Sequence, residues 1–140
     1  MRPGGTVEIV VAADDDLGTI WGWPGGLRLA VDNLVRNAVT HGRATRIVLT
    51  AHRDDGVLTI IVDDNGRGLP ADERETVLGR FRRGSTAAPG GSGLGLALVA
   101  QQATLHGGRI ELSDGPLAGL RATFTVSTSP EPASNSGQPR

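Results

Sequence analysis

The chain has no cysteine among its 140 residues. That excludes disulfides, thiolate metal sites and a cysteine nucleophile. It has no lysine either, because all 14 basic residues are arginine. A side-chain cation that meets phosphate here must be arginine or protonated histidine. Arginine suits planar, two-point contact with phosphate oxygens. No apolar run approaches the roughly 18 residues of a membrane span. The first residues lack the apolar core of a signal peptide, so no export by this segment is expected. A formal net charge of -1 gives no sign of a face for duplex nucleic acid or of a polybasic membrane patch. The length suits one domain with a modest core.

What is present is glycine, 21 residues of it, most tellingly in Gly91-Ser92-Gly93-Leu94-Gly95-Leu96. Alternating glycines that open an apolar run describe a phosphate loop entering a helix. Without a Cβ the backbone approaches an anion closely, and the first N–H groups of the helix point at it. Taken alone the pattern is weak, since many glycine-rich turns only reverse the chain.

Residues 1–6 read as a flexible leader, followed by a strand at Val7–Ala12, a turn at Asp14–Asp16 and a short strand at Gly18–Gly22. Pro24-Gly25-Gly26 punctuates the chain before a helix at Leu27–His41, whose apolar residues recur with helical spacing. Strands at Arg46–Ala51 and Val57–Val62 flank the hairpin signal Asp54-Asp55-Gly56. Asp63–Pro70 reads as a polar loop, Ala71–Leu78 as a short helix and Arg82–Ser92 as a mobile stretch. A helix at Leu94–Leu105 ends at Gly107-Gly108. Strands near Arg109–Leu112 and Leu120–Val126 close the domain, expected over residues 7–127, and 128–140 form a disordered tail. Strands and helices out of strict alternation suggest an α+β, two-layer α/β sandwich.

Three polar clusters carry chemistry. Asn33, Asn37 and His41 stand four apart on one helix ridge. An amide oxygen there is a hard ligand for Mg²⁺, which shares its shell with phosphate and water; such residues also commonly cap turns or face water. Asp63-Asp64-Asn65-Gly66-Arg67-Gly68 follows an apolar strand. A buried carboxylate only accepts hydrogen bonds, so it would select the amine of adenine over the oxygen of guanine. A plain turn or a calcium loop is the alternative, although the latter needs more oxygen ligands and a distal glutamate. Arg80, Arg82 and Arg83 bracket Phe81 ahead of the glycine loop. They read either as a solvated basic turn or as a lid anchored by Phe81, with an arginine reaching the terminal phosphate.

In this order the clusters resemble a known set. Asn33-Leu34-Val35-Arg36-Asn37-Ala38 resembles the N box of sensor histidine kinases, and Asp64-Asn65-Gly66-Arg67-Gly68 their first glycine box. Arg80-Phe81-Arg82-Arg83-Gly84 is similar to the F box, and Gly91–Leu96 to the second glycine box. His106-Gly107-Gly108-Arg109-Ile110 and Gly119–Phe124 resemble the strands that end such domains. The likeness runs from about Val7 to Val126.

The resemblance implies the Bergerat-type ATP-binding sandwich of histidine kinases, gyrase-type ATPases, heat-shock chaperones and MutL-type proteins: a mixed sheet with about three helices on one face and a mobile lid. It implies ATP and Mg²⁺, with Asn37 as metal ligand and Asn33 as a catalytic polar contact. It implies an adenine acceptor at Asp64, pocket glycines at Gly66 and Gly68, and phosphate contacts from the backbone at Gly91, Gly93 and Gly95, with Ser92 and Leu94 in the same nucleotide-binding loop. Arg83 falls where the family carries an arginine near the γ-phosphate. The sequence departs from the family at Thr40, where lysine is usual and Arg83 or Arg43 would compensate. It departs also at His41 for a stacking tyrosine, at Leu78 for phenylalanine, and at Trp23-Pro24 for Asp-Pro.

The activity so implied is transfer of the γ-phosphoryl group to a histidine on a separate dimerisation domain, with a response regulator downstream. None of His41, His52 and His106 stands in the context of such an acceptor. The chain is therefore expected to be a cytoplasmic, monomeric catalytic piece of a membrane-anchored kinase, with no nucleic-acid partner. Rival readings are an anti-sigma-factor kinase of the same superfamily, which phosphorylates serine on a partner, and a non-catalytic nucleotide sensor. A gyrase-type ATPase fits less well, because Asn33 stands where a hydrolytic glutamate would.

Overall fold

The computed structural model describes residues 7–14, 17, 22–78 and 95–127. Among the described residues, five strands and three helices follow one another as β1 (Glu8–Ala13), α1 (Pro24–Thr40), β2 (Arg46–Asp54), β3 (Val57–Asp64), α2 (Ala71–Val77), α3 (Leu96–Leu105), β4 (Arg109–Asp114) and β5 (Leu120–Ser127). The strands form one sheet in the order β1-β2-β3-β5-β4. β1 pairs with β2 in parallel, and every other pairing is antiparallel. This is the mixed α+β sandwich expected from the sequence. The expected leader, tail and lid lie outside the described residues, as do residues 18–21 of the expected second strand. Gly22, assigned to the end of that strand, is not in one.

Strand alternation sorts the sheet into two faces. Ile47, Val62, Ala122, Phe124, Val126 and Ile110 share the helix-bearing face and are buried, Phe124 completely. Ala30, Leu34 and Ala38 of α1 and Leu96, Val99 and Ala103 of α3 are the buried residues of the helices and complete that core. Their spacing of three and four is the apolar stripe read from the sequence. Val77 and Leu78, at the end of α2, pack into the same cluster. Arg74 secures α2 by donating to Asp114 at 2.7 Å.

Most element ends differ from the sequence reading by a residue or two, and three differences have an evident physical reason. α1 begins at Pro24 rather than Leu27. Proline suits the first helical turn, where its missing N–H is not needed, and Gly26 packs directly against Gln102 of α3. α3 begins at Leu96, because Gly95 before it is left-handed, with φ 65°. The β2–β3 ladder is longer at both ends. At the turn, Asp55 and Gly56 both take positive φ and close the hairpin tightly. At the other end the pairing runs on to Ile47↔Asp64, so Asp63 and Asp64, expected in a loop, are the last two residues of β3.

Candidate functional site

One cavity opens between α1, the end of β3 and the start of α3. Leu34, Ala38, Val62, Leu96, Leu112 and Ala122 give it apolar walls, and Leu69 and Leu120 contribute at its edge. Its polar lining is Asn37, His41 and Asp64, with Gly68 beside them. Residues from two of the three clusters found in the sequence thus meet in one place.

Asn37 and His41 reach it because they are one helical turn apart on the ridge beside the buried stripe. The side-chain nitrogen of Asn37 is buried and, among the described residues, has no hydrogen-bond partner. Such an orphan is costly unless something else pairs with it, and amide orientation is an assignment, so either end of the amide can face a ligand. The backbone carbonyl of Asn37 accepts from the N–H groups of His41 (2.9 Å) and Gly42 (3.0 Å), which closes the helix.

Asp64 is 4% exposed. Its Oδ1 accepts from the Gly66 N–H at 2.8 Å and from the Leu120 N–H at 3.3 Å. Among the described residues, nothing donates to its other oxygen. Gly119 lies against Asp64 so closely that a Cβ there would collide with both Asp64 and the Gly66 nitrogen. Only glycine fits at this crossing.

The loop after β3 is sewn to its surroundings. Asn65 Oδ1 accepts from the Thr45 and Arg46 N–H groups, each at 2.9 Å, and its Nδ2 donates to Thr45 Oγ1 at 3.1 Å. The Arg67 N–H donates to Gly42 O and its Nε to His41 O, both at 2.9 Å. These bonds hold His41 and Asp64 on the same opening.

Asn33 does not line the cavity. Its Nδ2 donates to Leu29 O at 3.0 Å, and its Oδ1 stands 2.6 Å from where a Cβ of Gly95 would be. It marks instead the junction of α1 with the first turn of α3. Gly66 takes part through its N–H rather than as cavity wall. Phe81, Arg83, Gly91, Ser92, Gly93 and Leu94 lie outside the described residues.

Sequence reasoning missed the pairing on the far side of the sheet. Asp63, also 4% exposed, is held by Arg121 through two bonds, Nε to Oδ1 at 2.7 Å and Nη2 to Oδ2 at 2.9 Å. The hydrogen bond to Asp63 raises the guanidinium pKa above its ordinary value; burial opposes this, and the charge of Asp63 adds to it. No local pattern marks Arg121, because the partners sit on strands far apart in sequence.

Residues 23–131 match the family described as histidine kinase-, DNA gyrase B- and HSP90-like ATPase. The chain belongs to that ATPase family. Within it, the chain is 59% identical over 108 residues to the sensor-type histidine kinase PrrB of Mycobacterium leprae, covering 77% of this chain and 24% of that protein. It is 39% identical over 118 residues to the sensor histidine kinase component HK1 of Mycobacterium tuberculosis, covering 84% of this chain and 69% of that protein. The crystal structure of the ATP-binding domain of PrrB from Mycobacterium tuberculosis superposes with a TM-score of 0.73 at 42% identity, over 87% of this chain and 80% of that one. The chain spans about a quarter of the length of the PrrB relatives it matches. Fold and relatives together make this a catalytic ATP-binding domain of sensor histidine kinase type. Among the described residues, no helix of this ATPase-family domain is long and apolar enough to cross a membrane.

Proposed function

We propose that this domain binds Mg-ATP and donates its γ-phosphoryl group to a histidine on a separate dimerisation domain. The observation that carries the reading is the buried amide nitrogen of Asn37, unpaired among the described residues, on the same cavity as the half-satisfied carboxylate of Asp64. The adenine amine donates to Asp64 while apolar walls cover the base, and His41 lies along the opening. Guanine, with an oxygen in place of the amine, would set acceptor against acceptor.

The residues fit a magnesium ion only as a shared one. Among the described residues, no group of three histidine, aspartate or glutamate side chains could hold a metal. Asn37 would supply one neutral oxygen, with phosphate oxygens and water completing the shell. When bound, the ion neutralises charge that builds on the phosphates.

Transfer itself needs alignment and charge neutralisation more than covalent chemistry from the protein. An imidazole nitrogen of the acceptor attacks the γ-phosphorus. The bond to the β–γ bridging oxygen breaks, ADP leaves, and the imidazole releases its proton. By resemblance, Asn33, beside Gly95 at the entry to α3, is a polar contact in the transfer. By resemblance, the backbone of Gly91, Gly93 and Gly95, with Ser92 and Leu94, cradles the phosphates. By the same resemblance, Phe81 anchors the lid and Arg83 meets the γ-phosphate. His106 is not the acceptor, since both of its ring nitrogens are committed to backbone bonds. The phosphohistidine formed on the parent kinase would pass its group to a response regulator, and the parent would be membrane-anchored with this domain on the cytoplasmic side.

Nucleotide titration of Asn37→Ala and Asp64→Ala tests the site. Both should lose ATP affinity by at least about tenfold, and retention of parental affinity in both refutes the assignment. Incubated alone with Mg-ATP, the chain should acquire no stable phosphohistidine; with a matching acceptor domain, that domain should become labelled.

A further inference from the structure

We infer that the Asp63–Arg121 pair, on the sheet face opposite the cavity, is the positioning element for the adenine contact at Asp64. The inference rests on the adenine reading given above and extends it to residues that never touch the nucleotide.

The argument starts from alternation along β3. Asp63 and Asp64 are neighbours, so their side chains leave opposite faces of the sheet. Asp64 turns to the cavity, and Asp63 to the opposite face, where Arg121 of β5 holds it by both carboxylate oxygens. Asp63↔Arg121 is also the last aligned pair of the β3–β5 ladder. Beyond it the backbone pairing gives way to a side-chain rung, in which the Leu120 N–H donates to Asp64 Oδ1 at 3.3 Å. Gly119 then crosses directly over Asp64.

The two-point ion pair therefore sits at the point where the strands would otherwise begin to fray. A guanidinium–carboxylate fork is rigid in distance and in plane. It sets how far β5 stands from β3 and hence where the Leu120 N–H meets Asp64. That bond, with the one from Gly66, occupies Oδ1 and orients the other oxygen toward the cavity. If the fork is lost, the carboxylate can rotate, and the amine of adenine loses its fixed acceptor.

The test compares two ligands on the full 140-residue chain: ATP, and the triphosphate of purine riboside, which lacks the 6-amino group. Arg121→Met removes the fork, and the double variant Asp63→Asn/Arg121→Gln removes both charges without stranding a buried one. Each is expected to raise the Kd for ATP about tenfold and to leave the Kd for the purine analogue within about twofold of the parent. Arg121→Lys, which keeps the charge but not the fork, should fall between. Amide exchange at Leu120 should quicken in the same order. Equal weakening of both ligands would mean that the pair only supports the fold, and unchanged affinity for both would mean that it does not position Asp64; either result overturns the inference. If the parent chain itself binds the two ligands equally, the adenine reading fails, and this inference falls with it.

Discussion

The Trp23 N–H donates to His106 Nε2 at 3.0 Å, so the imidazole at the end of α3 caps the beginning of α1. The other ring nitrogen, Nδ1, lies 2.8 Å from Gln102 O. As Nδ1 donates and Nε2 accepts, the ring here is the neutral Nδ1–H tautomer. The Trp23 ring meets it edge-on at 5.1 Å between centroids. The bond compensates for the missing side-chain cap on α1 and ties together the two helices that carry Asn37 and Leu96. His106→Ala should lower stability by about 2 kcal/mol in urea unfolding followed by circular dichroism. Nucleotide affinity measured well below the transition should change little.

A pair of glycine variants separates backbone strain from mere helix propensity. Gly95 has φ 65° and faces Asn33 Oδ1, whereas Gly25 has nothing within 4 Å of where a Cβ would be. Gly95→Ala should cost about 1–3 kcal/mol and also weaken nucleotide binding, because it displaces Asn33 and the first turn of α3. Gly25→Ala should be neutral or stabilising by about 0.5 kcal/mol. Thermal unfolding of the two variants side by side checks the contrast.

Asn65 makes three side-chain bonds to Thr45 and Arg46 yet lines no part of the cavity. Asn65→Ala should loosen the loop that carries Gly66 and Gly68. Its signature would be faster amide exchange at Gly66 and weaker ATP binding, by about tenfold, with the core still protected from exchange.

Phe124 is fully buried between the sheet and the helices. Phe124→Ala should cost about 3–5 kcal/mol, enough to leave much of a small domain unfolded. Near-parental denaturation by urea would show that the core does not depend on this ring.

Much of the molecule was legible in its sequence because the relevant signals are local. The stripe Ala30, Leu34, Ala38 announces a helix buried on one side, and Asp55-Gly56 announces a tight hairpin, since each acts through neighbouring residues. The steps from Asn33 to Asn37 to His41 were also legible as spacing, although only Asn37 and His41 line the cavity and Asn33 stands beside Gly95. The misplaced boundaries arose where local chemistry is ambiguous. Pro24-Gly25-Gly26 ends a helix in one context and starts one in another, and contact with α3 at Gln102 decides which.

The sequence by itself determined the family, the helical periods and which residue types are available to meet a phosphate, because composition and spacing are properties of the chain alone. Two adjacent aspartates look alike in that one-dimensional record. Only the folded sheet, with its two faces, sent Asp64 to the cavity and Asp63 to Arg121. Burial, and the distance between strands remote in sequence, exist only once the chain has closed on itself.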